Sequence, residues 1–276
     1  NNAYGISIKH IAIGLTILVG VILFAKSKKD TIIIALNKIV PIMAILYLAV
    51  VLYILVTNFS LIPSMIANIF RQALGGKELL GGGIGIVIMN GVRRGLFSNE
   101  AGSGNSNYAA AVADVEEPAK QGMVQALGVF MDTLIVCSAT AFVVLLAKEE
   151  VIVGKTGMAL FQAAIRDHIG WYGIPFSVVI LFFFSLSTIL GVAYYGKNAI
   201  AFISRFQFLN PIYYAIVVLM VYIGGVEHNE FVWSLADFGL GIMTVINILC
   251  IVPLAGEAVS ELQQYEEKLK KEKLTR

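Results

Sequence analysis

Charged residues are scarce in this sequence: Asp, Glu, Lys and Arg make up 14% of its 276 residues, whereas 58% are hydrophobic. Soluble domains carry about 25% charged residues, and they cannot hide so much apolar surface from water. The formal net charge of +2 is too small, and the basic residues are too scattered, for a nucleic-acid footprint. We therefore expect a lipid bilayer as the main solvent and no nucleic-acid partner.

Cysteine and histidine are also few, with two and three copies. Cys137 and Cys250 fall inside apolar runs, which favours buried thiols over a disulfide or a metal site. The histidines lie at the ends of apolar runs or in loops, at His10, His168 and His228. The sequence has no HExxH, no Walker A run and no GxGxxG. We expect neither an enzyme nor a cofactor.

Apolar runs long enough to cross a hydrocarbon core recur along the chain. They predict an all-α integral membrane protein with seven spans, at about residues 8–25, 39–59, 82–104, 122–147, 172–204, 207–225 and 231–255. Two shorter amphipathic stretches, residues 63–74 and 157–169, are predicted to lie in the membrane surface. Residues 1–256 then form a transmembrane domain, and residues 257–276 form a polar, solvated helical tail.

The basic residues predict the orientation, because Lys and Arg accumulate in cytoplasmic loops. The turn between the last two spans carries Glu227 and Glu230 but no Lys or Arg. Basic residues instead follow the first and fifth spans and fill the tail, at Lys26, Lys28, Lys29, Lys38, Lys197, Arg205, Lys268, Lys270, Lys271, Lys273 and Arg276. This predicts a multi-pass protein of the cell membrane with a cytoplasmic C-terminus. The chain opens without Met shortly before a span, so we expect a fragment of a longer protein.

The third predicted span becomes polar at membrane depth. Residues 81–104 read GGGIGIVIMNGVRRGLFSNEAGSG, with Arg93 and Arg94 about halfway across. A charge at a helix centre costs roughly 2.5–3.5 kcal/mol on insertion scales, so we expect partners inside the protein. Glu100 and, from the next predicted span, Asp132 are the candidate partners. Both a structural ion pair and a gating role fit these charges.

The stretch that follows the arginines predicts a broken helix. Serine, asparagine and glycine fill five of the seven positions from 98 to 104, and these residues are poor helix formers. Unwound backbone at membrane depth needs a covering of protein or a water-filled cavity, and its free amides and carbonyls then bind ligands. Close helix packing is the alternative, which we prefer for Gly91 and Gly95 alone. For the whole polar cluster we predict a binding site.

The fifth span is interrupted by three hydroxyl side chains, Ser185, Ser187 and Thr188. Hydroxyls in membrane helices most often bond to carbonyls of their own helix. The adjacent pair at 187 and 188 can also offer two hard oxygens to a cation, so the sequence leaves both explanations open.

Taken together, these segments resemble the alanine or glycine:cation symporter family, which has a leucine-transporter-like fold of two inverted five-helix repeats. The strongest likeness is GVRRGLFSNEAGSG at residues 91–104. Further likenesses are VPIMAILY (40–47), QGMVQALGVFMDTLIVCSAT (121–140), FSLSTILGVAYYGKN (184–198) and VWSLADFGLGIMTVINIL (232–249). The resemblance implies that the seven spans correspond to helices four to ten of that fold, and that helices one to three are missing.

The resemblance also implies a function: symport of a small neutral amino acid, such as alanine or glycine, with sodium as the coupling ion and by alternating access. Transport of another small zwitterion coupled to protons is the alternative within this fold. A membrane-embedded channel or enzyme is the alternative outside it, although no filter-like motif is present.

Site residues follow from the same resemblance. Asn99, Gly102 and Thr188 match positions that line the amino-acid pocket of the family. The hydroxyls of Ser187 and Thr188 and the carbonyl of Phe184 match its sodium site. Val192 stands where the family commonly has Trp, which reshapes the pocket and leaves room for a larger substrate side chain.

Overall fold

The computed structural model describes residues 7–25, 30–74, 83–111, 113–206, 208–227 and 229–274. In this part of the chain the regular structure is helical, without a β-strand. The helices are α1 Ile8–Phe24, α2 Asp30–Thr57, α3 Ile62–Leu74, α4 Gly83–Asn99, α5 Ser106–Ala110, α6 Pro118–Phe130, α7 Ser138–Leu145, α8 Glu149–Ile152, α9 Gly157–Ile169, α10 Gly173–Ile203, α11 Leu209–Val226 and α12 Asn229–Leu274. The segment Met131–Cys137 between α6 and α7 is π-helical.

Several helices are long and apolar enough to cross a membrane, where a helix satisfies every backbone group internally. Among the described residues, five stretches meet this requirement: Lys38–Thr57, Pro118–Leu145, Gly157–Ile203, Leu209–Val226 and Glu230–Lys271. They overlap five of the seven predicted spans, and the prediction of a multi-pass membrane protein is confirmed. The other two predicted spans coincide with α1, an apolar helix of 17 residues, and with α4, which also has 17 residues.

Some sequence predictions concern residues outside the described part of the chain. They are the loop lysines Lys26, Lys28 and Lys29, the start of the third predicted span at residue 82, His228 and the terminal Arg276.

The chain divides into two compact units. The first consists of Asn1–Lys26, Asn99–Val129 and Leu190–Arg276, and the second of Ser27–Ser98 and Phe130–Ile189. The polypeptide passes from one unit to the other at the end of α4, at the end of α6 and within α10.

In the first unit, small residues bring α1 and α11 close together. A Cβ added at Gly225 would lie 2.8 Å from the Cβ of Ala12, so no larger residue fits there without a shift. At one end of the contact, the rings of Phe24 and Tyr214 meet edge to face, with centroids 5.9 Å apart. Such small-residue contacts are a usual means of helix association in lipid.

The second unit has the larger buried core, formed by α2, α3, α7, α9 and the first part of α10. Tyr47 of α2 lies at its centre: its hydroxyl shares a 2.6 Å hydrogen bond with the Thr140 hydroxyl. Its ring packs edge-on against Phe184, at 5.9 Å between centroids. The buried residues are Met43, Tyr47, Val51, Ile54, Met65, Ala139, Val143, Leu146, Phe161, Ala164, Ile165 and Ile180.

The helix α9, which is predicted to lie in the membrane surface, packs its apolar face against protein. Its Phe161, Ala164 and Ile165 are buried in the core of the second unit, so protein covers its apolar face. An amphipathic pattern reports only that one face is apolar, and it does not say whether lipid or protein covers that face. The other predicted surface helix, α3, leaves Ile66 and Phe70 exposed within this chain.

The predicted tail is a continuation of α12, which runs for 46 residues with Pro253 inside it. Lys268 of the tail forms an ion pair with Glu117, just before α6. The neighbouring Glu116 carboxylate lies 3.0 Å from the Lys120 ammonium, which holds the pKa of this exposed carboxyl below its usual range. Exposed pairs of this kind contribute little to stability.

Candidate functional site

The predicted helix break is present and begins two residues later than expected. The helix α4 continues through Ser98 and ends at Asn99, and the chain becomes helical again at Ser106. The side-chain oxygen of Asn99 accepts a 2.9 Å hydrogen bond from the backbone N–H of Ala101, which caps the turn that follows. The irregular segment is therefore residues 100–105, which we call the break.

Three residues of the break have left-handed backbone conformations. Gly102 and Gly104, with φ values of 80° and 89°, adopt them without a steric penalty. Glu100, with a φ of 52°, is the one non-glycine residue among the described residues with a positive φ. The left-handed region costs a side chain roughly 1–2 kcal/mol, so surrounding contacts must hold Glu100 there.

Two hydrogen bonds inside the break provide such contacts. The Glu100 carboxylate accepts a 2.9 Å bond from the Asn105 side-chain amide. The buried Ser103 hydroxyl donates a 2.8 Å bond to the Glu100 carbonyl. The break is thus a closed, internally bonded turn rather than a frayed helix end.

Helix α12 supports the break from one side, through Asn247. The Asn247 amide donates a 3.0 Å hydrogen bond to the Gly102 carbonyl, which α4 no longer uses. Asn247 lies in a segment that carries the family resemblance, yet it was not among the predicted site residues. The signal was available, because an amide inside an apolar run at membrane depth requires a polar partner.

A cavity of about 740 Å³ adjoins the break within the first unit. Its volume falls in the range of small-molecule pockets. Residues from the break, α5, α10 and α12 line it: Ser103, Gly104, Asn105, Asn107, Tyr108, Ala111, Asn198, Phe202, Met243, Ile246, Asn247 and Cys250. The break therefore borders a cavity, as predicted, although the predicted pocket residues Asn99, Gly102 and Val192 are not among the lining residues.

Val192 lies on α10 in the first unit with 46% of its surface exposed. Its carbonyl accepts a 3.2 Å hydrogen bond from the Tyr213 hydroxyl of α11. A Cβ at Gly196 would lie 2.0 Å from the same hydroxyl oxygen, so this glycine is what admits the tyrosine. The Tyr213 hydrogen bond thus involves the backbone of Val192 rather than its side chain.

In the second unit, the oxygens predicted to bind sodium are clustered within one helical turn. The hydroxyls of Ser187 and Thr188 both donate to the Phe184 carbonyl, each at 2.9 Å. These are the own-helix bonds that hydroxyls in membrane helices usually make. Each hydroxyl oxygen keeps lone pairs that a cation could use, so the geometry is compatible with both explanations that the sequence left open.

Arg93 and Asp132, two of the charges predicted to have partners inside the protein, each have a neighbour in the described second unit. Within the described second unit, Arg93 hydrogen bonds to the Met89 sulfur at 3.8 Å, one turn away. The Asp132 carboxylate accepts a 2.7 Å bond from the Ser98 hydroxyl. Asp132 belongs to the π-helical segment.

The remaining predicted charges have other neighbours. The Arg94 guanidinium lies over the Phe97 ring, 5.7 Å from its centroid, in a cation–π arrangement. Glu100 accepts the bond from the Asn105 amide. The Cys137 thiol is half-buried and lies 3.0 Å from the Ser98 hydroxyl, so it has a polar neighbour rather than a purely apolar environment.

The whole chain matches a known protein family. The family described as "Sodium:alanine symporter family" matches residues 1–276. The chain is similar to the amino-acid carrier protein AlsT of Bacillus subtilis, with 40% identity over 94% of this chain and 55% of the relative. The probable sodium/glutamine symporter GlnT of the same organism is 34% identical over 96% of this chain and 55% of the relative. The putative sodium/proton-dependent alanine carrier protein YrbD, also from Bacillus subtilis, is 39% identical over 98% and 58%. The chain thus spans just over half the length of these curated relatives.

Proposed function

The chain belongs to the sodium:alanine symporter family, and from this premise we propose that it works in the sodium-coupled symport of small neutral amino acids across the cell membrane. Its class is that of a transporter and not of an enzyme. The names of its relatives, which include an amino-acid carrier, an alanine carrier and a glutamine symporter, support a small neutral amino acid as the substrate.

The observation that carries the proposal is the break bordering a cavity. Broken backbone inside a membrane protein is stable only where it is covered or lines a cavity, and broken transporter helices supply ligand-binding amides and carbonyls there. The break has three left-handed residues within five positions. It therefore points backbone groups away from a helix axis, as a site for a zwitterion requires.

In this proposal, Asn99 and Gly102 at the break, together with Thr188 and Val192 on α10, contact the amino acid. Phe184, Ser187 and Thr188 supply oxygens to sodium. The clustering of those three oxygens within one turn supports this assignment.

The proposed mechanism is alternating access. The chain contributes seven spans, equivalent to helices four to ten of the leucine-transporter-like fold, and its C-terminus faces the cytoplasm. The charges of Arg93, Arg94, Glu100 and Asp132 have structural or gating roles near the break. Asp132 fits such a role because it binds Ser98, the residue before Asn99.

Proton coupling is the second candidate, supported by the name of YrbD, which includes both sodium and protons. Uptake of labelled alanine and glutamine into proteoliposomes that contain the full-length protein distinguishes sodium coupling from proton coupling. We expect saturable uptake that an inward sodium gradient drives and a pH gradient alone does not. Uptake that does not saturate, or that needs no cation gradient, would contradict symport.

Cysteine accessibility tests the assignment of the break. The Ala101→Cys variant should react with a water-soluble maleimide, and the amino acid should slow the reaction. The matched control is Val124→Cys on α6, whose side chain is 58% exposed in this chain but lies in an apolar span. We expect lipid to protect it. Equal labelling at both positions, unaffected by the amino acid, contradicts a ligand site at the break.

A further inference from the structure

Asn247 makes the contacts that join α12 to the break. Its amide donates to the Gly102 carbonyl at 3.0 Å, and its side-chain oxygen accepts from the Asn107 amide of α5 at 3.5 Å. Gly104 lies against the same side chain: a Cβ there would be 3.0 Å from the Asn247 oxygen. One side chain thus contacts the break and the short helix that follows it.

The surroundings of Asn247 indicate that these contacts are specific. Between residues 241 and 250, Thr244 and Asn247 are half-buried while the other side chains are exposed. These two residues are one turn apart and share a face of α12. Thr244 bonds to the Leu240 carbonyl of its own helix, so Asn247 is the residue of this pair that supplies a polar group to the break.

The Gly102 carbonyl needs such a donor because the break takes it out of a helical hydrogen-bond ladder. A backbone carbonyl at membrane depth without a partner is destabilising. Gly102 also has a φ of 80°, so its carbonyl direction depends on what holds the peptide. A donor on a neighbouring helix fixes that direction.

We infer that Asn247 is a positioning residue for transport: it holds the break in the conformation that binds the amino acid, acting through the Gly102 carbonyl. This inference rests on the proposed function, because the break is the proposed amino-acid site. It also assigns α12 a role in substrate affinity, although Asn247 itself does not contact the substrate in this proposal.

The first test compares Asn247→Leu, which keeps the shape but removes both hydrogen bonds, with the control Thr244→Val. Thr244 packs on the same face, and its hydroxyl serves only its own helix. We expect Asn247→Leu to raise the half-saturating amino-acid concentration by about 3- to 10-fold, the effect of losing one hydrogen bond, with a smaller change in maximal rate. Thr244→Val should stay within about twofold. A lower maximal rate with unchanged half-saturation contradicts the inference, because it reports only less folded protein.

The Asn247→Asp variant adds a rescue by pH. Its carboxylate repels the Gly102 carbonyl when ionised, but the protonated carboxyl again donates a hydrogen bond. We compare uptake by the variant with uptake by the unsubstituted protein in the same buffers at subsaturating substrate. The ratio of the two should recover as the pH falls from roughly 8 to 5, the range in which a carboxyl titrates when burial raises its pKa. A ratio that does not change with pH contradicts the inference.

A third measurement does not depend on transport. Ser103 is only 3% exposed, so a cysteine at that position should be protected from a water-soluble maleimide. We expect Asn247→Leu, but not Thr244→Val, to increase its labelling rate several-fold, with mass spectrometry separating it from Cys137 and Cys250. Unchanged labelling overturns the inference. If the unsubstituted full-length protein shows no sodium-driven uptake, the proposed function fails, and this measurement still decides whether Asn247 holds the break.

Discussion

Single hydroxyl groups on α10 differ in the carbonyl that they bind. Ser187 and Thr188 share the Phe184 carbonyl, whereas Ser185 donates to the Leu181 carbonyl at 2.6 Å. The shared carbonyl brings three oxygens together on one side of the helix. Ser185 is therefore a suitable control position, because its hydroxyl bonds to a carbonyl of its own helix outside the cluster.

This difference gives a prediction for sodium dependence. Thr188→Ala removes one of the clustered oxygens, and an interaction with a charged group is worth about 1.5–3 kcal/mol. In proteoliposomes, the sodium concentration for half-maximal uptake should therefore rise roughly 10- to 100-fold. Ser185→Ala should leave it nearly unchanged. If both variants have the sodium dependence of the unsubstituted protein, the Thr188 hydroxyl serves only the backbone.

Val192 gives a second prediction, for substrate range. Its side chain is 46% exposed within this chain, and an indole is much larger than an isopropyl group. Val192→Trp should reduce uptake of glutamine more than uptake of alanine, as measured by competition assays. Val179→Trp, at another exposed valine of α10, should affect both substrates equally. An unchanged ratio of the two substrates in Val192→Trp places this side chain outside the pocket.

At the residue scale, the sequence predicted local contacts well and distant ones poorly. Phe184, Ser187 and Thr188 are within one turn, so helical periodicity alone brings them together. Gly102 and Asn247 are separated by 145 positions, and no local pattern joins them. The partner of the Asp132 carboxylate is likewise distant in the sequence, because Ser98 lies 34 positions away.

At the scale of elements, the joint between α9 and α10 depends on two glycines. Gly170 ends α9 with a φ of 63°, and the 3₁₀ turn Gly170–Tyr172 leads into α10. Gly173 then lies against the α9 backbone: a Cβ there would be 2.8 Å from the Arg166 Cα and from the Ile165 carbonyl oxygen. Backbone atoms cannot rotate away as a side chain can.

Gly173→Ala should therefore destabilise the protein. Overpacking of this kind costs typically 1–3 kcal/mol, so the melting temperature in detergent should fall. The matched variant is Gly191→Ala on the same helix, where the added Cβ meets nothing within 4 Å. It should be neutral or stabilising by up to about 1 kcal/mol, because alanine is the better helix former. A Gly173→Ala protein as stable as Gly191→Ala would mean that the two helices are not in contact there.

The boundaries of an element were predictable where local amino-acid composition alone determines them. The break was found to within two residues because glycine, serine and asparagine weaken a helix wherever it packs. The burial of the α9 apolar face in the protein core was not predictable, because an amphipathic pattern fits a covering of lipid as well as one of protein. The π-helical segment Met131–Cys137 has no signature in its composition.

At the scale of the whole molecule, the oxygens near Phe184 are too few for an ion site. The cluster offers one carbonyl and two hydroxyls, and small hard cations of this kind take about six or more oxygen ligands. Side chains of other types do not supply an alternative site, because the described residues hold no group of three His, Cys, Asp or Glu side chains suited to a metal ion. The proposed sodium site therefore requires ligands from outside this cluster.

The last prediction follows from that shortage and from the lengths of the relatives, of which this chain spans 55% to 58%. Residues 1–276 reconstituted alone should show no sodium-driven uptake and no sodium-dependent rise in melting temperature. Co-reconstitution with the part of AlsT that has no counterpart in this chain should restore a sodium-dependent rise, because the added oxygens complete the site. Thr188→Ala should abolish the restored rise, while Ser185→Ala should not. Sodium-driven uptake by the 276-residue chain alone would mean that the site is complete within it, for instance in an assembly of two copies, and that sodium needs no ligand from the rest of a longer protein.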